Sequence, residues 1–420
     1  MRQAEILAVG SELLLGGRLD TNSLFLADEL ATLGIEVRFK TVVGDDEADI
    51  AAAIRTAARR VDVVVMTGGL GPTADDQTRQ AVARVTGRPL RRHADAVKGM
   101  TQRLAVWGRT ATAAQMRQTL VPSGATVLAN SVGSAPGFCL SWKDCLLIVL
   151  PGVPSEAKDM FVKEAVPLVA KRCAPGAQDR IERRVLHTCG LLEADLDARL
   201  GPLVPARRGV RFGLLASPLG VAVSLTACGG PSAIAALEQT THTVRQELGS
   251  VVYAEGTDTM EEVVGHALTV RKMTIAIAES CTGGLIGHRL TQVPGSSTYL
   301  DRVLVCYSNK AKLELLEVPK AILTRHGAVS AEVAAAMAQG VRERSNTDVG
   351  LSVTGIAGPG GGTAQKPVGL VYVGLAAKGT GVLAKEFRFH GSRDVIKLRA
   401  SQAALNVLRQ WLPVAQPHKA

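Results

Sequence analysis

An alternation of apolar strand patterns and helical segments over the first 66 residues constrains the fold more than any other feature of this sequence. Strands are predicted at residues 5–9, 36–43 and 62–66, and helices at 21–34 and 48–60. Such a βαβαβ order requires parallel strands joined by right-handed crossovers. We therefore expect an N-terminal α/β domain with a parallel sheet. A strand at 145–150 and a helix that ends near residue 172 complete it.

Two further regions follow. A small α+β module is predicted at 173–250, with strands at 184–189, 210–215 and 221–228 and helices at 191–200 and 232–248. It carries no catalytic pattern, which favours a spacer or a dimerisation element. After a linker at 250–259, a second α/β domain is predicted at 258–413. Its predicted strands are 273–278, 303–307, 349–353, 368–376 and 382–389, and its predicted helices are 261–270, 281–291 and 394–411.

Composition narrows the cellular setting. The seven cysteines are scattered and form no CxxC pair, which is typical of reduced thiols in the cytosol. No apolar run is long enough to span a bilayer, and no signal-peptide pattern follows Met1, so we expect a cytoplasmic protein without a membrane partner. The net charge of +10 favours anionic partners, but no long Lys/Arg block is present. Nucleic acid is therefore not the expected partner.

A glycine-rich loop with two acids follows the third predicted strand. Residues 67–76 read TGGLGPTADD, in which Gly68, Gly69 and Gly71 allow the backbone to approach a phosphate closely. Asp75 and Asp76, joined by Asp46 from the neighbouring loop, offer hard oxygen ligands for a divalent cation. Such a cation would neutralise a pyrophosphate and position a water for attack. The structural alternatives are a tight turn for the glycines and N-capping for the acids.

Four motifs of this region together resemble a known family. They are GSELLLG at 10–16, TGGLGPTADD at 67–76, GSAPGF at 133–138 and LPGVPSE at 150–156. The segment is similar to the molybdopterin-binding-like domain of the CinA (competence/damage-inducible) family. The resemblance implies metal-dependent hydrolysis of ADP-ribose to AMP and ribose 5-phosphate, with Mg, Mn or Co as the metal. It also implies that Asp75 and Asp76 are metal and phosphate-site acids and that the glycines form the phosphate cradle.

A serine marks the second candidate site. Ser280 lies in AESCTGG at 278–284, between an apolar strand and a glycine-rich helix start, where free amides could stabilise an oxyanion. No histidine lies at a spacing from Ser280 that would suggest a catalytic base. Lys312, in YSNKAK at 307–312, could act as the base if burial depresses its pKa. From its own sequence alone, the favoured reading of Lys312 is an ordinary solvated lysine on a helix.

The second site also resembles the CinA family. AESCTGG and YSNKAK occur with HGAVS at 326–330, SVTGIAGP at 352–359 and KPVG at 366–369, a set similar to the CinA C-terminal domain. The resemblance implies an amidase that converts nicotinamide mononucleotide to nicotinate mononucleotide and ammonia without a cofactor. It implies that Ser280 is the nucleophile, Lys312 the base and Tyr307 an auxiliary. The residues implied to hold phosphate and oxyanion are Thr282, Gly283, Gly284, Gly355 and Gly358.

Arg393 is a plausible additional phosphate ligand, with surface capping as the alternative reading. The leading hypothesis is thus a bifunctional enzyme of pyridine-nucleotide recycling that acts on small-molecule nucleotides, and we expect a homodimer. One alternative is a nucleotide-binding regulatory protein linked to competence or DNA damage, with one or both sites non-catalytic. Another is a pterin-binding or molybdenum-cofactor role for the N-terminal domain.

Overall fold

The computed structural model describes residues 2–173, 180–204, 209–379 and 381–412. They divide into two compact units: one combines the chain up to residue 182 with residues 227–236, and the other combines 183–226 with the chain from 237 onward. The outer limits predicted for the domains, residues 1 and 413, lie outside the described residues. Within the described ranges, no helix has the length and apolar character needed to cross a membrane.

A mixed six-stranded sheet forms the centre of the first unit. Its elements in chain order are β1 (Arg2–Val9), α1 (Ser11–Leu14), α2 (Thr21–Thr32), β2 (Ile35–Val43), α3 (Glu47–Ala57), β3 (Val63–Thr67), α4 (Thr78–Thr86), β4 (Leu90–Arg92), α5 (Ala94–Val106), α6 (Ala113–Arg117), β5 (Leu120–Pro122), β6 (Thr126–Leu128), β7 (Gly137–Trp142), β8 (Cys145–Leu150), α7 (Pro154–Met160) and α8 (Val166–Arg172). A π-helical turn at Phe161–Ala165 joins the last two helices.

The sheet order is β2-β1-β3-β8-β7-β6. The first four strands are parallel, which confirms the predicted βαβαβ unit and the fourth strand. The prediction missed β6 and β7, which extend the sheet in antiparallel pairing with β8 and with each other. The described part of β6 has three residues, too few to show the period-two alternation that marks a strand.

Helices cover both faces of this sheet. Every residue of β3 and of β8 is buried, as their continuous apolar sequences require in a two-sided core. Ile50 and Ile54 of α3 pack in the core on one face, and Leu26 and Leu30 of α2 pack in the core on the other. Because β1, β3 and β8 are parallel, the loops that follow them meet at one edge of the sheet, where ligands usually bind in such folds.

In its described residues, the middle module is a four-stranded sheet with two helices. Its elements are β9 (Arg180–Thr188), α9 (Glu193–Leu200), β10 (Val210–Ser217), β11 (Gly220–Gly229), α10 (Pro231–Leu248) and β12 (Val252–Glu255), and the sheet order is β10-β11-β9-β12. The linker predicted at 250–259 is therefore wrong in its first half, since β12 pairs with β9. The short sequence VYAE has a partly buried Tyr253 that packs against the C-terminal core, which the flanking polar residues obscured.

The C-terminal domain is a five-stranded sheet covered by helices. Its elements are α11 (Met260–Arg271), β13 (Ile275–Glu279), α12 (Leu285–Thr291), β14 (Leu300–Val305), α13 (Asn309–Leu316), α14 (Lys320–His326), α15 (Ala331–Ser345), β15 (Val349–Gly355), β16 (Leu370–Ala377), β17 (Val382–Arg388) and α16 (Arg393–Trp411). The order is β14-β13-β15-β16-β17. Strand β13 is parallel to β14 and β15, whereas β16 and β17 are antiparallel, which confirms the predicted neighbouring pair.

Two local predictions in this domain need correction. The helix predicted at 281–291 begins only at Leu285, because Gly283 and Gly284 adopt left-handed conformations with φ of 63° and 94°. Residues 280–284 therefore form a turn instead of a helical start. Three helices, α13, α14 and α15, lie between β14 and β15, where the sequence reading suggested a helix at Lys312 but gave no helix bounds. The first of these carries Lys312, so the correction bears directly on the second candidate site.

Candidate functional sites

The glycine loop after β3 is held by close backbone contacts. Gly68 and Gly69 have φ of 101° and 66°, conformations that side chains with a Cβ rarely adopt. A Cβ on Gly68 would lie 2.1 Å from the Val9 carbonyl oxygen, and one on Gly69 would lie 2.1 Å from Thr78 Oγ1. The fold itself therefore requires these glycines. Their proposed phosphate contacts are compatible with this packing but are not needed to explain them.

Asp76 organises the loop from within. Its carboxylate accepts hydrogen bonds from the Gly71 amide at 2.6 Å, from the Thr73 amide at 2.9 Å and from the Thr73 hydroxyl. A Cβ on Gly71 would collide with this carboxylate at 2.4 Å. Both oxygens of Asp76 thus have partners in its own loop, a structural role that the sequence pattern alone did not reveal.

The three predicted metal ligands have different environments. Asp46 is the N-cap of α3, where its Oδ1 accepts from the amides of Ala48 at 2.8 Å and Asp49 at 3.0 Å. Asp75 is exposed in the loop. In the described ranges, no group of three or more His, Cys, Asp or Glu side chains is arranged to hold a metal ion. The donor set of Asp46, Asp75 and Asp76 therefore does not form a metal cage in this structure.

Buried polar residues that sequence reasoning missed support the same edge of the sheet. Asn22 in α2 donates to the Gly152 carbonyl at 2.9 Å, and a Cβ on Gly152 would lie 3.3 Å from Gly68 Cα. Arg79 in α4 donates to the Leu70 carbonyl, and burial lowers the pKa of its guanidinium to about 10. The signal that could have found these residues is their position: each lies in the first turns of a helix that follows a loop of this edge.

The second site is built on the turn after β13. Strand β13 is completely buried, and the Ser280 amide that follows it donates to the Val353 carbonyl of β15 at 3.0 Å. The Gly283 amide then donates to the Ser280 carbonyl at 3.2 Å, which closes the turn. Ser280 is therefore fixed at the carboxyl end of a parallel strand, with 8% of its surface exposed.

Lys312 reaches Ser280 directly. Its Nζ donates to Ser280 Oγ at 3.1 Å and to the carbonyl oxygens of Cys306 at 2.8 Å and Tyr307 at 3.2 Å. Only 1% of Lys312 is exposed, and no carboxylate contributes to the shift of its pKa, which burial lowers. A lower pKa increases the neutral fraction that can accept a proton from the serine hydroxyl. The reading of Lys312 as a solvated surface lysine is wrong.

Tyr307 and Arg393 form a bridge at the rim of the site. Arg393 Nη2 donates to the Tyr307 hydroxyl at 3.0 Å, and Arg393 Nη1 donates to the Gly358 carbonyl at 2.6 Å. Tyr307 is 59% exposed. The arginine thus ties the loop before α13 to the loop after β15, and it brings together three residues that the sequence motifs placed far apart.

Glu279 was not predicted, yet it shapes the turn. It is fully buried, and its two carboxylate oxygens accept hydrogen bonds from the amides of Gly284 and Gly287, both at 2.9 Å. These amides belong to the beginning of α12, where a negative charge is favourable. The signal was its place directly before Ser280 in AESCTGG: a charged residue at the end of an otherwise apolar strand.

The other predicted binding residues line the same loops. Thr282 is fully buried, and within the described part of the chain its hydroxyl has no hydrogen-bond partner. Gly355 leaves no room for a side chain, since a Cβ there would lie 2.8 Å from the Leu370 carbonyl oxygen. The Gly283 and Gly284 amides already have partners, so their predicted contact with an oxyanion is not prepared in this conformation.

Comparison with known protein families matches the three parts of the chain separately. Residues 5–171 match the family described as "Probable molybdopterin binding domain", residues 183–254 match "Damage-inducible protein CinA KH domain", and residues 257–412 match "CinA C-terminal domain". The fold and the serine–lysine pair thus belong to a protein class that joins a molybdopterin-type domain to a CinA C-terminal domain through a KH module.

Relatives are similar over nearly the whole length. A CinA-like protein from Geobacter metallireducens is 44% identical over 97% of this chain and 98% of its own length, and one from Gemmatimonas aurantiaca is 41% identical over 97% and 95%. The chain therefore belongs to the CinA family. A crystal structure of a competence/damage inducible protein from Agrobacterium tumefaciens is 43% identical, covers 36% of this chain and 91% of its own, and has a TM-score of 0.35.

Proposed function

We propose that the C-terminal domain is an amidase that hydrolyses nicotinamide mononucleotide to nicotinate mononucleotide and ammonia. The observation that carries this proposal is the 3.1 Å contact between the buried Lys312 Nζ and Ser280 Oγ. A serine beside an amine of lowered pKa is an activated nucleophile, and acyl transfer is the chemistry such a pair performs. The nucleotide as substrate comes from the resemblance of the motifs to the CinA C-terminal domain.

The reaction follows from this pair. Neutral Lys312 accepts the proton of Ser280 as Oγ bonds to the carboxamide carbon, and the carbonyl electrons move to the oxygen. Lys312 then gives that proton to the nitrogen, and ammonia leaves as the acyl-enzyme forms. Water adds to the ester with Lys312 again as the base, and the ester C–O bond breaks to release nicotinate mononucleotide. Ser280 recovers its proton.

The negative oxygen needs donors near the turn. The Gly283 and Gly284 amides are engaged, whereas among the described contacts the Thr282 amide has no acceptor. We infer that Thr282 supplies one donor to the oxyanion. Glu279 acts as a positioning residue, because its carboxylate holds the end of the turn in place. Arg393 holds the Tyr307 hydroxyl at the rim of the site.

For the N-terminal domain we propose hydrolysis of ADP-ribose to AMP and ribose 5-phosphate. The glycine loop and the Gly152 loop lie at the ligand-binding edge of the parallel sheet, and Asp75 offers an exposed carboxylate there. The resemblance implies a divalent ion, but because the three acids do not gather around one point we derive no step through it. If ADP-ribose binds without being cleaved, the regulatory or pterin-binding alternatives take precedence.

The experiment that tests the amidase is ammonia release from nicotinamide mononucleotide by the purified full-length protein. The wild type should release ammonia, and Ser280→Ala should lose at least about a thousandfold in kcat because the covalent route disappears. Ser297→Ala, an exposed serine in the same domain, is the matched control and should keep the full rate. Turnover by Ser280→Ala close to that of the control would discard the serine mechanism.

A further inference from the structure

Two cations lie one turn apart at the beginning of α16, next to the Ser280 turn. Arg393 is the first residue of the helix and already bridges Tyr307 and Gly358. Lys397 lies four residues later and is half-buried. Its Nζ is 3.9 Å from the position that a Cβ on Gly283 would occupy, and among the described residues other than Gly283 and its two chain neighbours no other atom is that close. The ammonium group therefore faces the turn that carries the nucleophile.

The Lys397 ammonium has neither an ion pair nor a hydrogen bond within residues 2–173, 180–204, 209–379 and 381–412. Glu279, the acid of the same turn, uses both oxygens for backbone amides and does not pair with the lysine. The Thr282 hydroxyl is buried beside Gly283 and likewise has no partner in those ranges. Since buried hydroxyl groups usually have a partner, this turn can accept a further hydrogen-bonding group.

The helix terminus adds to this charge. Amides at the beginning of a helix carry partial positive charge, so cations are unfavourable there and anions are favourable. Asp394 supplies one acid in the first turn, yet Arg393 and Lys397 together outnumber it. A bound anion would offset this excess of positive charge.

We propose that Lys397 binds the 5′-phosphate of the nucleotide substrate. This inference rests on the proposed amidase function and deepens it, because a phosphate contact predicts that the nucleotide is preferred to the nucleoside. Arg393 is committed to its bridge between two loops, whereas Lys397 has its donors available on the same side. The lysine therefore provides the phosphate contact, and the arginine holds the rim of the site in place.

The test compares substrates with and without the phosphate. Lys397→Met should raise KM for nicotinamide mononucleotide by about 10- to 100-fold, the range expected for a lost charge-assisted hydrogen bond, with little change in kcat. The rate on nicotinamide riboside, which has no phosphate, should not change. Lys397→Arg should recover most of the affinity for the mononucleotide. Lys385→Met, an exposed lysine on β17, is the matched control and should behave as the wild type.

Binding without turnover separates this proposal from the amidase proposal. Calorimetric titration of Ser280→Ala with nicotinamide mononucleotide should show a site that the Ser280→Ala/Lys397→Met variant lacks, while binding to the unchanged N-terminal domain cancels between the two. If that site is lost but the wild type releases no ammonia, the phosphate contact stands and the amidase fails. If Ser280-dependent ammonia release persists and Lys397→Met leaves KM for the mononucleotide unchanged, the role of Lys397 is overturned.

Discussion

The two glycine-rich turns of this protein differ in where their polar groups are directed. Both follow a completely buried strand of a parallel array, β3 in the N-terminal domain and β13 in the C-terminal domain. In the first turn, the Asp76 carboxylate accepts hydrogen bonds from its own loop, and Asp46 of the neighbouring loop caps α3. In the second, Glu279 also satisfies its turn, but Lys312 arrives from a separate helix to contact Ser280.

This comparison shows what a glycine turn by itself provides. Such a turn fixes the backbone at the edge of the sheet where ligands usually bind. A carboxylate within the turn, however, accepts hydrogen bonds from the neighbouring amides and is then not available for catalysis. Reactivity in the second turn depends on a group brought from outside, by α13, whose burial changes the protonation of the lysine. Variants that remove this external group should therefore have the largest effect, and variants of the internal carboxylates smaller ones.

Among the residues that surround Ser280, the lysine should have the largest effect. Lys312→Ala should lower kcat for ammonia release by about 100- to 10,000-fold, the usual contribution of a general base. Lys312→Arg keeps the charge but cannot readily release a proton, so it should fail almost as badly. Steady-state assays of both variants check this. A Lys312→Arg variant with most of the wild-type rate would show that the charge matters and that another group is the base.

The role of Lys312 as the base also predicts the direction in which the rate of ammonia release changes with pH. Burial lowers the pKa of Lys312, and only the neutral amine accepts the serine proton. The rate should therefore rise with pH as the amine deprotonates, with its midpoint below the value of about 10.4 for an ordinary lysine. The profile of kcat/KM between weakly acidic and alkaline pH measures this. A rate that falls through that range would contradict the assignment.

A smaller loss is expected from the positioning carboxylate. Glu279→Gln replaces one of two accepting oxygens with an NH₂ group that faces a backbone amide, which should destabilise the domain by about 1–3 kcal/mol. Because the turn moves with it, kcat should fall by about tenfold or more, as is usual when a reacting group is misplaced. Glu314→Gln, an exposed acid on α13, is the matched control. Thermal unfolding and ammonia release are measured together.

Much of the fold and the main residues of the second site could be predicted from the sequence, but the contacts between side chains could not. Apolar runs predicted β1, β3, β8 and β13 because continuous burial leaves a clear pattern, and the motifs identified Ser280 and Lys312. The 3.1 Å contact between them could not be derived, since 32 positions separate the two residues and the sequence does not show that the helix of Lys312 packs against the Ser280 turn. Glu279, Asn22 and Lys397 were missed because a single polar residue beside a turn has no periodicity. Their roles depend on backbone amides, carbonyls and glycines that only the folded chain brings near.

Variants of the two acids in the first turn should differ in their effects on stability and on AMP formation. Asp76→Asn leaves one oxygen to serve the amides of Gly71 and Thr73, so it should destabilise the N-terminal domain by about 1–2 kcal/mol and also reduce AMP formation from ADP-ribose. Asp75→Asn, the exposed neighbour, should reduce AMP formation and leave stability unchanged. EDTA should leave ammonia release intact, because the proposed serine–lysine mechanism uses no metal. Ammonia release that stopped with EDTA would contradict a serine mechanism without metal.

The smallest effect on catalysis is expected when the C-terminal domain is separated from the rest. All residues assigned to the amidase lie between Glu279 and Lys397, so a chain that starts at residue 257 should keep kcat within about twofold. Its stability should fall by about 1–3 kcal/mol, because Arg409 loses the Ser250 carbonyl, to which it donates at 2.6 Å, and the core loses Tyr253. Arg409→Gln provides a double-mutant cycle: it should destabilise the full-length chain more than the shortened one, since only the former offers the carbonyl partner. Chemical denaturation of the four proteins, followed by circular dichroism and by ammonia release, measures both quantities. If the shortened chain stays folded but loses ammonia release, the middle module contributes to the amidase site, and the two turns do not act as independent units.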